Sequence, residues 1–351
     1  MHKKRRWLIA GLVVVIIAAL ALWPTKWYVE VPGSAESLKP YVQVAGTKDR
    51  AKGSYMLTTV GVVGPASPLV LLWGKLQPYA DIVSQQDLMG KDSSAEYDQL
   101  QHYYIKSAAD NAVAAAFKAA KQPYTIKHRG IYVMSVLKTS PFKNKLALGD
   151  TITKVDGVAY QTADEFINAI QKRQVNSTVT LTYQHAGATK TARGKLMRLP
   201  GNKKAGIGIT LTENTTTTRK PKVTIDAGDI GGPSAGLMFA VQTYTQITGA
   251  NLRHGQKIAG TGTIDADGKV GQIGGIDKKV YICAKSGAKV FFAPNTPATK
   301  ALLKLDPTYE NNYTVAKRTA KAIGTKMKIV PVQTLQDALD YLQNQSGAAR
   351  F

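Results

Sequence analysis

A serine hydroxyl is a weak nucleophile until a base takes its proton and donors receive the charge that follows. One stretch of this chain offers such a setting. In Asp226-Ala-Gly-Asp-Ile-Gly-Gly-Pro-Ser-Ala-Gly236, Gly231 and Gly232 permit a tight turn, and Pro233 pre-sets φ for a first helical turn. Ser234 then falls at the mouth of an apolar helix expected from Ala235 to about Ile247. Free N–H groups and the positive end of the helix dipole gather there, which suits the oxyanion formed when a carbonyl is attacked. The plain alternative is an N-cap serine with a glycine-rich approach. Asp226 and Asp229, close to the helix start, read as capping or stabilising acids rather than catalytic ones.

A second stretch adds to the first. Thr261-Gly-Thr-Ile264 reads as a strand, Asp265-Ala-Asp-Gly268 as its turn and Lys269–Ile273 as the return strand. Gly274-Gly275 opens a helix carrying Lys278 and Lys279, and the strand Ala288–Ala293 follows. Together the two stretches resemble the proteolytic domain of the Lon family of serine proteases. The family's Asp-Gly-Pro-Ser-Ala-Gly matches positions 231–236 except at Gly231, and its Gly-Gly-Leu-Lys-Glu-Lys resembles Gly274-Gly-Ile-Asp-Lys-Lys279. The resemblance implies Ser234 as nucleophile and Lys279 as general base. It makes Thr261 the residue that helps orient the lysine, with Gly231 and Gly232 supporting. Gly231 in place of the family's aspartate removes a side chain beside the site.

The chemistry agrees with that assignment. A lysine acts as a base only when neutral, so burial must lower its pKa from about 10.4 toward neutrality. The five histidines lie outside both stretches, which argues against a Ser-His-Asp triad. Of the adjacent lysines, Lys278 is expected to point to water.

The elements that must position these residues begin with a membrane signal. His2-Lys-Lys-Arg-Arg6 precedes seventeen apolar residues, Trp7–Trp23, and then Pro24. As a helix these span roughly 25 Å, the short end of what a bilayer needs. A cleaved signal peptide with Ala19-Leu-Ala21 as its site competes, but the run exceeds a usual h-region and ends on an interfacial tryptophan. A retained single-pass anchor in the cell membrane is expected, N-terminus cytoplasmic and catalytic domain extracellular. The lone Cys283 excludes an intrachain disulfide and reads as a buried structural thiol. The net charge of +23, from 46 basic and 23 acidic residues, suits membrane lipid, anionic wall polymers or acidic substrates. No nucleic acid partner is expected, because no recognition motif accompanies the charge.

Further along, Ser54–Val63 and Leu69–Trp73 read as strands, and Ser93-Ser-Ala-Glu96 as a capping box opening a long helix to Ala120. Gly130-Ile-Tyr-Val-Met-Ser-Val136, Ser140-Pro-Phe, Leu148-Gly-Asp150 and Val155-Asp-Gly157 resemble a bacterial PDZ domain, with Ala163–Arg173 as its groove helix and Ser177–Tyr183 as a closing strand. The resemblance implies peptide binding by strand addition. Its carboxylate-binding turn would come from Lys127–Ile131, which makes Arg129, Gly130, Ile131 and Tyr132 the candidate contacts. Ala205–Leu211 reads as a strand, Thr215–Pro221 as a surface loop and Gln343–Phe351 as a frayed tail.

The expected fold is α+β, a Lon-type proteolytic domain with an inserted PDZ domain behind one N-terminal transmembrane helix. Its parts are a basic flank (1–6), an anchor (7–23), a first proteolytic segment (28–120), the PDZ domain (121–204), a second proteolytic segment (205–345) and a tail (346–351). No metal-ligand cluster, no phosphate-binding loop and no cofactor motif occurs in the sequence, so ATP-independent cleavage of peptides or unfolded protein segments is expected. A PDZ adaptor with an inactive protease-like scaffold is the alternative. A homo-oligomer is left open, since Lon relatives form rings.

Overall fold

The computed structural model describes residues 2–90, 92–200, 203–305 and 307–348. A six-stranded sheet runs in the order Lys328–Val332, Val290–Pro294, Lys257–Gly260, Ser54–Val63, Trp27–Ser37, Asp81–Ser84. Its C-terminal strands pair in parallel, Lys257–Gly260 also pairs in parallel with Ser54–Val63, and Trp27–Ser37 is antiparallel to both its neighbours. All five residues of Val290–Pro294 are buried, as a parallel strand covered on both faces requires.

Over this sheet pack the helices Gly236–Thr248, which follows Ser234, and Ile276–Lys285, which holds Lys278 and Lys279. The long helix Ser94–Ala119 starts on the expected capping box: Glu96 N–H donates to Ser93 Oγ at 3.3 Å, and Ser93 N–H to Glu96 Oε2 at 2.8 Å. Its run Ala112–Phe117 is buried at every position, because small alanine side chains let it approach Gly236–Thr248 closely. Phe117, Leu237, Phe239 and Phe292 join one core there. Each large apolar side chain so buried contributes about 1.5–3 kcal/mol.

In the chain, between Asp81–Ser84 and Lys257–Gly260, comes a second, antiparallel sheet in the order Ile209–Arg219, Tyr124–Val136, Thr151–Val155, Thr178–His185, Ala188–Lys195. It has its own core around Val133, Phe142, Phe166 and Leu181. The threonine run expected as a surface loop is therefore strand, and the second sheet extends past 204 to Arg219. Four consecutive β-branched residues, Thr215–Thr218, favour the pleated conformation and pair with Thr125–His128.

Other expectations are corrected. Leu69–Trp73 is not a strand but part of the helix Pro68–Leu76, begun by Ser67 as N-cap and Pro68 in the first turn. Gln343–Ala348 continues the helix Leu335–Ala348 rather than fraying, and 349–351 lie outside the described residues. The basic flank is itself helical, in His2–Leu22, which stops before Pro24. Within it Lys4–Leu22 is long and apolar enough to cross a membrane, with a mean hydropathy of 2.1, a property that N-terminal signal sequences share.

Candidate active site

Ser234 sits in a single 3₁₀ turn, Pro233–Ala235, and the α-helix proper begins at Gly236. Gly232 makes the turn possible with φ +86°, a conformation that a side chain would strain. The loop is tied down from the next strand end: Thr261 Oγ1 and Gly262 N–H both donate to the Ser234 carbonyl, at 3.0 and 2.9 Å. Ser234 is thus held by its backbone while its hydroxyl stays free to react.

Lys279 reaches it from Ile276–Lys285. Its Nζ lies 2.6 Å from Ser234 Oγ and 3.3 Å from Thr261 Oγ1. Thr261 spends its own proton on the Ser234 carbonyl, so its oxygen is left to accept from the lysine. Lys279 is 3 % exposed and, among the described residues, has no carboxylate paired with it. Burial pushes its pKa down to about 8. One turn on, Cys283 is fully buried, and burial raises its pKa, so it stays a neutral thiol.

Lys278 does not point to water. It is 1 % exposed and forms ion pairs with Asp81, with Glu30 at 3.8 Å and with Asp277 at 3.8 Å. The lysine helix lies across the edge of the sheet near Trp27–Ser37, and carboxylates from that edge make burying a second charge tolerable.

Sequence reasoning missed Gln101, on the long helix. A Cβ added at Gly231 would stand 2.6 Å from Gln101 Cβ, which explains why this position carries no side chain. The Gln101 carbonyl also accepts the Gly232 N–H at 2.9 Å, so that donor is not free for an oxyanion here. No spacing in the sequence joins residues 101 and 231. Asp226 accepts the Gly228 N–H at 3.0 Å, a local turn, and Asp229 lines the cleft. That cleft, about 840 Å³, opens over Ser234 and Lys279 between Ser34, Glu36, Thr59 and Tyr97.

The expected peptide contacts of the second sheet need correction. Lys127–Ile131 is no turn: it lies within the strand Tyr124–Val136. Gly130 pairs with Asn214, Ile131 with Glu213 and Ile152, and Tyr132 with Thr212 and Thr151. Gly130, Ile131 and Tyr132 have neighbours on both sides, so a peptide cannot add beside them, and Ile131 and Tyr132 are buried; Arg129 falls in the register shift between His128 and Gly130 and is exposed. The outer edge belongs to Ile209–Arg219, and it faces the helix Ala163–Gln171. Ile209, Leu211 and Ile167 stay partly exposed there, and Glu213 Oε1 accepts the Ala163 N–H at 3.0 Å at one end of the groove. The sequence signal for this edge was Gly206-Ile-Gly-Ile209, where Gly208 takes φ +75° just before the strand.

Residues 210–342 match the family model of the Lon protease (S16) C-terminal proteolytic domain, and residues 108–196 that of the PDZ domain. The Lon protease of Neorickettsia sennetsu is 26% identical over 110 residues, 31% of this chain and 11% of that protein. The Lon protease of Desulforamulus reducens is 41% identical over 64 residues, 18% of this chain and 8% of that protein. The chain thus matches about a tenth of the length of these relatives. The PDZ domain of an SdrC-like protein from Listeria monocytogenes is 38% identical and covers 25% of this chain and 92% of that one, with a TM-score of 0.24. Its counterpart from Listeria innocua is 35% identical over 23% of this chain and 92% of that one, with a TM-score of 0.23.

Proposed function

We propose that this chain, which combines a PDZ domain with a Lon-type (S16) proteolytic domain, is an ATP-independent serine endopeptidase working through a Ser234–Lys279 dyad. The observation that carries the reading is the 2.6 Å approach of Lys279 Nζ to Ser234 Oγ at a buried lysine with a lowered pKa. Neutral Lys279 takes the Ser234 proton as Oγ attacks the scissile carbonyl, giving a tetrahedral intermediate. The resulting ammonium gives that proton to the leaving amine. In deacylation Lys279 takes a proton from water as the water oxygen attacks the acyl carbon, and then gives that proton to Ser234 Oγ as the acyl C–O bond breaks. Thr261 keeps the lysine aimed throughout by accepting one of its N–H bonds.

No phosphate-binding loop occurs in these 351 residues, so the substrates are peptides or already flexible segments. The edge Ile209–Arg219 and the helix Ala163–Gln171 form the groove in which the PDZ domain takes an extended peptide. The helix His2–Leu22 serves as a retained anchor that leaves the catalytic domain outside the cell, an orientation supported by its basic N-terminal flank.

The experiment is covalent labelling of the full-length protein with a fluorophosphonate probe, with cleavage of an unfolded polypeptide followed in the absence of ATP. Labelling at Ser234 with ATP-free cleavage is the expected result. A chain that binds peptides but neither labels nor cleaves would be an adaptor with an inactive scaffold.

A further inference from the structure

The helix Pro68–Leu76 is amphipathic in an inverted sense. Its inner face rests on the sheet at Gly74, where an added Cβ would stand 2.6 Å from Val29 Cγ1. Its outer face carries Leu69, Leu72, Trp73 and Leu76, the i, i+3, i+4, i+7 stripe that ordinarily turns to a core. Here Leu72 is 57 % exposed and Leu76 76 %, and Val62 and Trp27 are also exposed. Contiguous apolar surface of this kind marks a contact with protein or membrane.

The backbone decides between the two. Thr25 N–H and Oγ1 both donate to the Ala66 carbonyl, at 3.0 and 2.6 Å, and Ala66 N–H donates to the Trp27 carbonyl at 2.8 Å. The start of the exposed helix is therefore bonded to residues two to four positions beyond Trp23, where the apolar run ends. Two to four extended residues reach roughly 7–14 Å. The helix His2–Leu22 also contacts Pro68–Leu76 directly. Trp23, Trp27 and Trp73 are the residue type favoured at a membrane interface, and exposed Lys26 and Lys75 add positive charge there.

We infer that Pro68–Leu76 lies in the boundary between lipid headgroups and acyl chains beside the anchor, as a second, interfacial membrane contact. The inference rests on reading Trp7–Trp23 as a retained span and is independent of the peptidase chemistry. The strand on which this helix sits, Trp27–Ser37, continues to Glu30, Ser34 and Glu36 in the catalytic cleft. The interfacial helix therefore holds the cleft within roughly 35 Å of the bilayer surface, the length of that 11-residue strand.

The test uses the full-length Cys283→Ala chain with one new cysteine, Leu72→Cys, Val13→Cys or Thr314→Cys, labelled with an environment-sensitive fluorophore. Each is reconstituted into phosphatidylcholine–phosphatidylglycerol vesicles carrying a quencher either near the headgroups or deep in the acyl chains. The expected result is several-fold quenching at 72, stronger with the shallow quencher, and none at 314. No lipid quenching at 72 overturns the inference, and a label at 72 shielded by a second copy instead would show energy transfer between differently labelled chains. Position 13 separates the causes: if it is quenched while 72 is not, the anchor stands and the interfacial helix falls. If neither is quenched, the anchor reading has failed as well.

Discussion

Lys278 and Lys279 are neighbours on one helix and both are buried, yet their ammonium groups meet opposite surroundings. Three carboxylates neutralise Lys278, whereas Lys279 meets only the hydroxyls of Ser234 and Thr261. A helical step of about 100° separates the two side chains, enough to send one to the sheet edge and the other into the cleft.

Removing either member of the dyad should abolish cleavage. Lys279→Ala is expected to cost about 10²–10⁴-fold in kcat/KM, and Ser234→Ala to remove probe labelling altogether. The double variant should be no worse than the poorer single one, because the two residues act as a unit. Thr261→Ala, which removes one contact to the lysine and one to the Ser234 carbonyl, should lose about tenfold. A strictly additive double variant in steady-state kinetics would contradict a shared step.

Activity should rise with pH through about 8 and then level off, as Lys279 loses its proton. Stability moves the same way for a related reason. The unfolded lysine keeps its proton up to about 10.4, so between 8 and that value the unfolded chain binds more protons than the folded one. Stability from this group therefore rises with pH across the window, and below 8 the folded state carries a cost on the order of 3 kcal/mol. Lys279→Met should accordingly unfold at higher urea than the wild type at pH 6, with the difference shrinking toward pH 10.

Lys278→Ala should harm stability rather than chemistry. Breaking a fully buried ion pair costs about 3–5 kcal/mol. The partners here are partly exposed, Asp81 most of all, so about 1–3 kcal/mol is expected. A lowered Tm with unchanged pH dependence in the folded enzyme fits this role. Loss of probe labelling in well-folded Lys278→Ala would move the base to Lys278.

Gly231→Ala should impair the enzyme, because its methyl group meets Gln101 Cβ. Gln101→Ala cannot relieve that contact, since it keeps the Cβ. Gln101→Gly can, at a helix cost of about 1 kcal/mol. Rescue of Gly231→Ala labelling by Gln101→Gly, and not by Gln101→Ala, is the expected pattern.

For the PDZ groove, Leu211→Lys should weaken peptide binding, measured by fluorescence anisotropy, while Arg129→Ala leaves it unchanged. The difference follows from strand 209–219 having the outer edge and strand 124–136 having none.

Local chemistry made much of this legible in the sequence. Gly-Gly before Ser234 permits a tight turn and Pro233 pre-sets the first helical φ, and the Ser93–Glu96 spacing suits a capping box. The apolar stretch 7–22 is helical, as its composition suggests. Such features depend on φ, on hydrogen bonds a few residues apart and on hydrophobicity, all written within a short window. The errors came where distant partners decide. The threonine run became a strand because 124–136 lay beside it, whereas the helix over 69–73 was signalled locally, by Ser67 and Pro68. Gly130–Tyr132 has the right composition for a groove, but occupied edges on both sides close it. The fates of Lys278 and Lys279 were likewise beyond the sequence. Both are lysines on one turn, and only the packed structure brings Asp81 and Glu30 to the first and Ser234 to the second, 45 residues away. A lysine's charge state is set by what surrounds it in space, and that is fixed only when the sheet, the serine loop and the long helix close together.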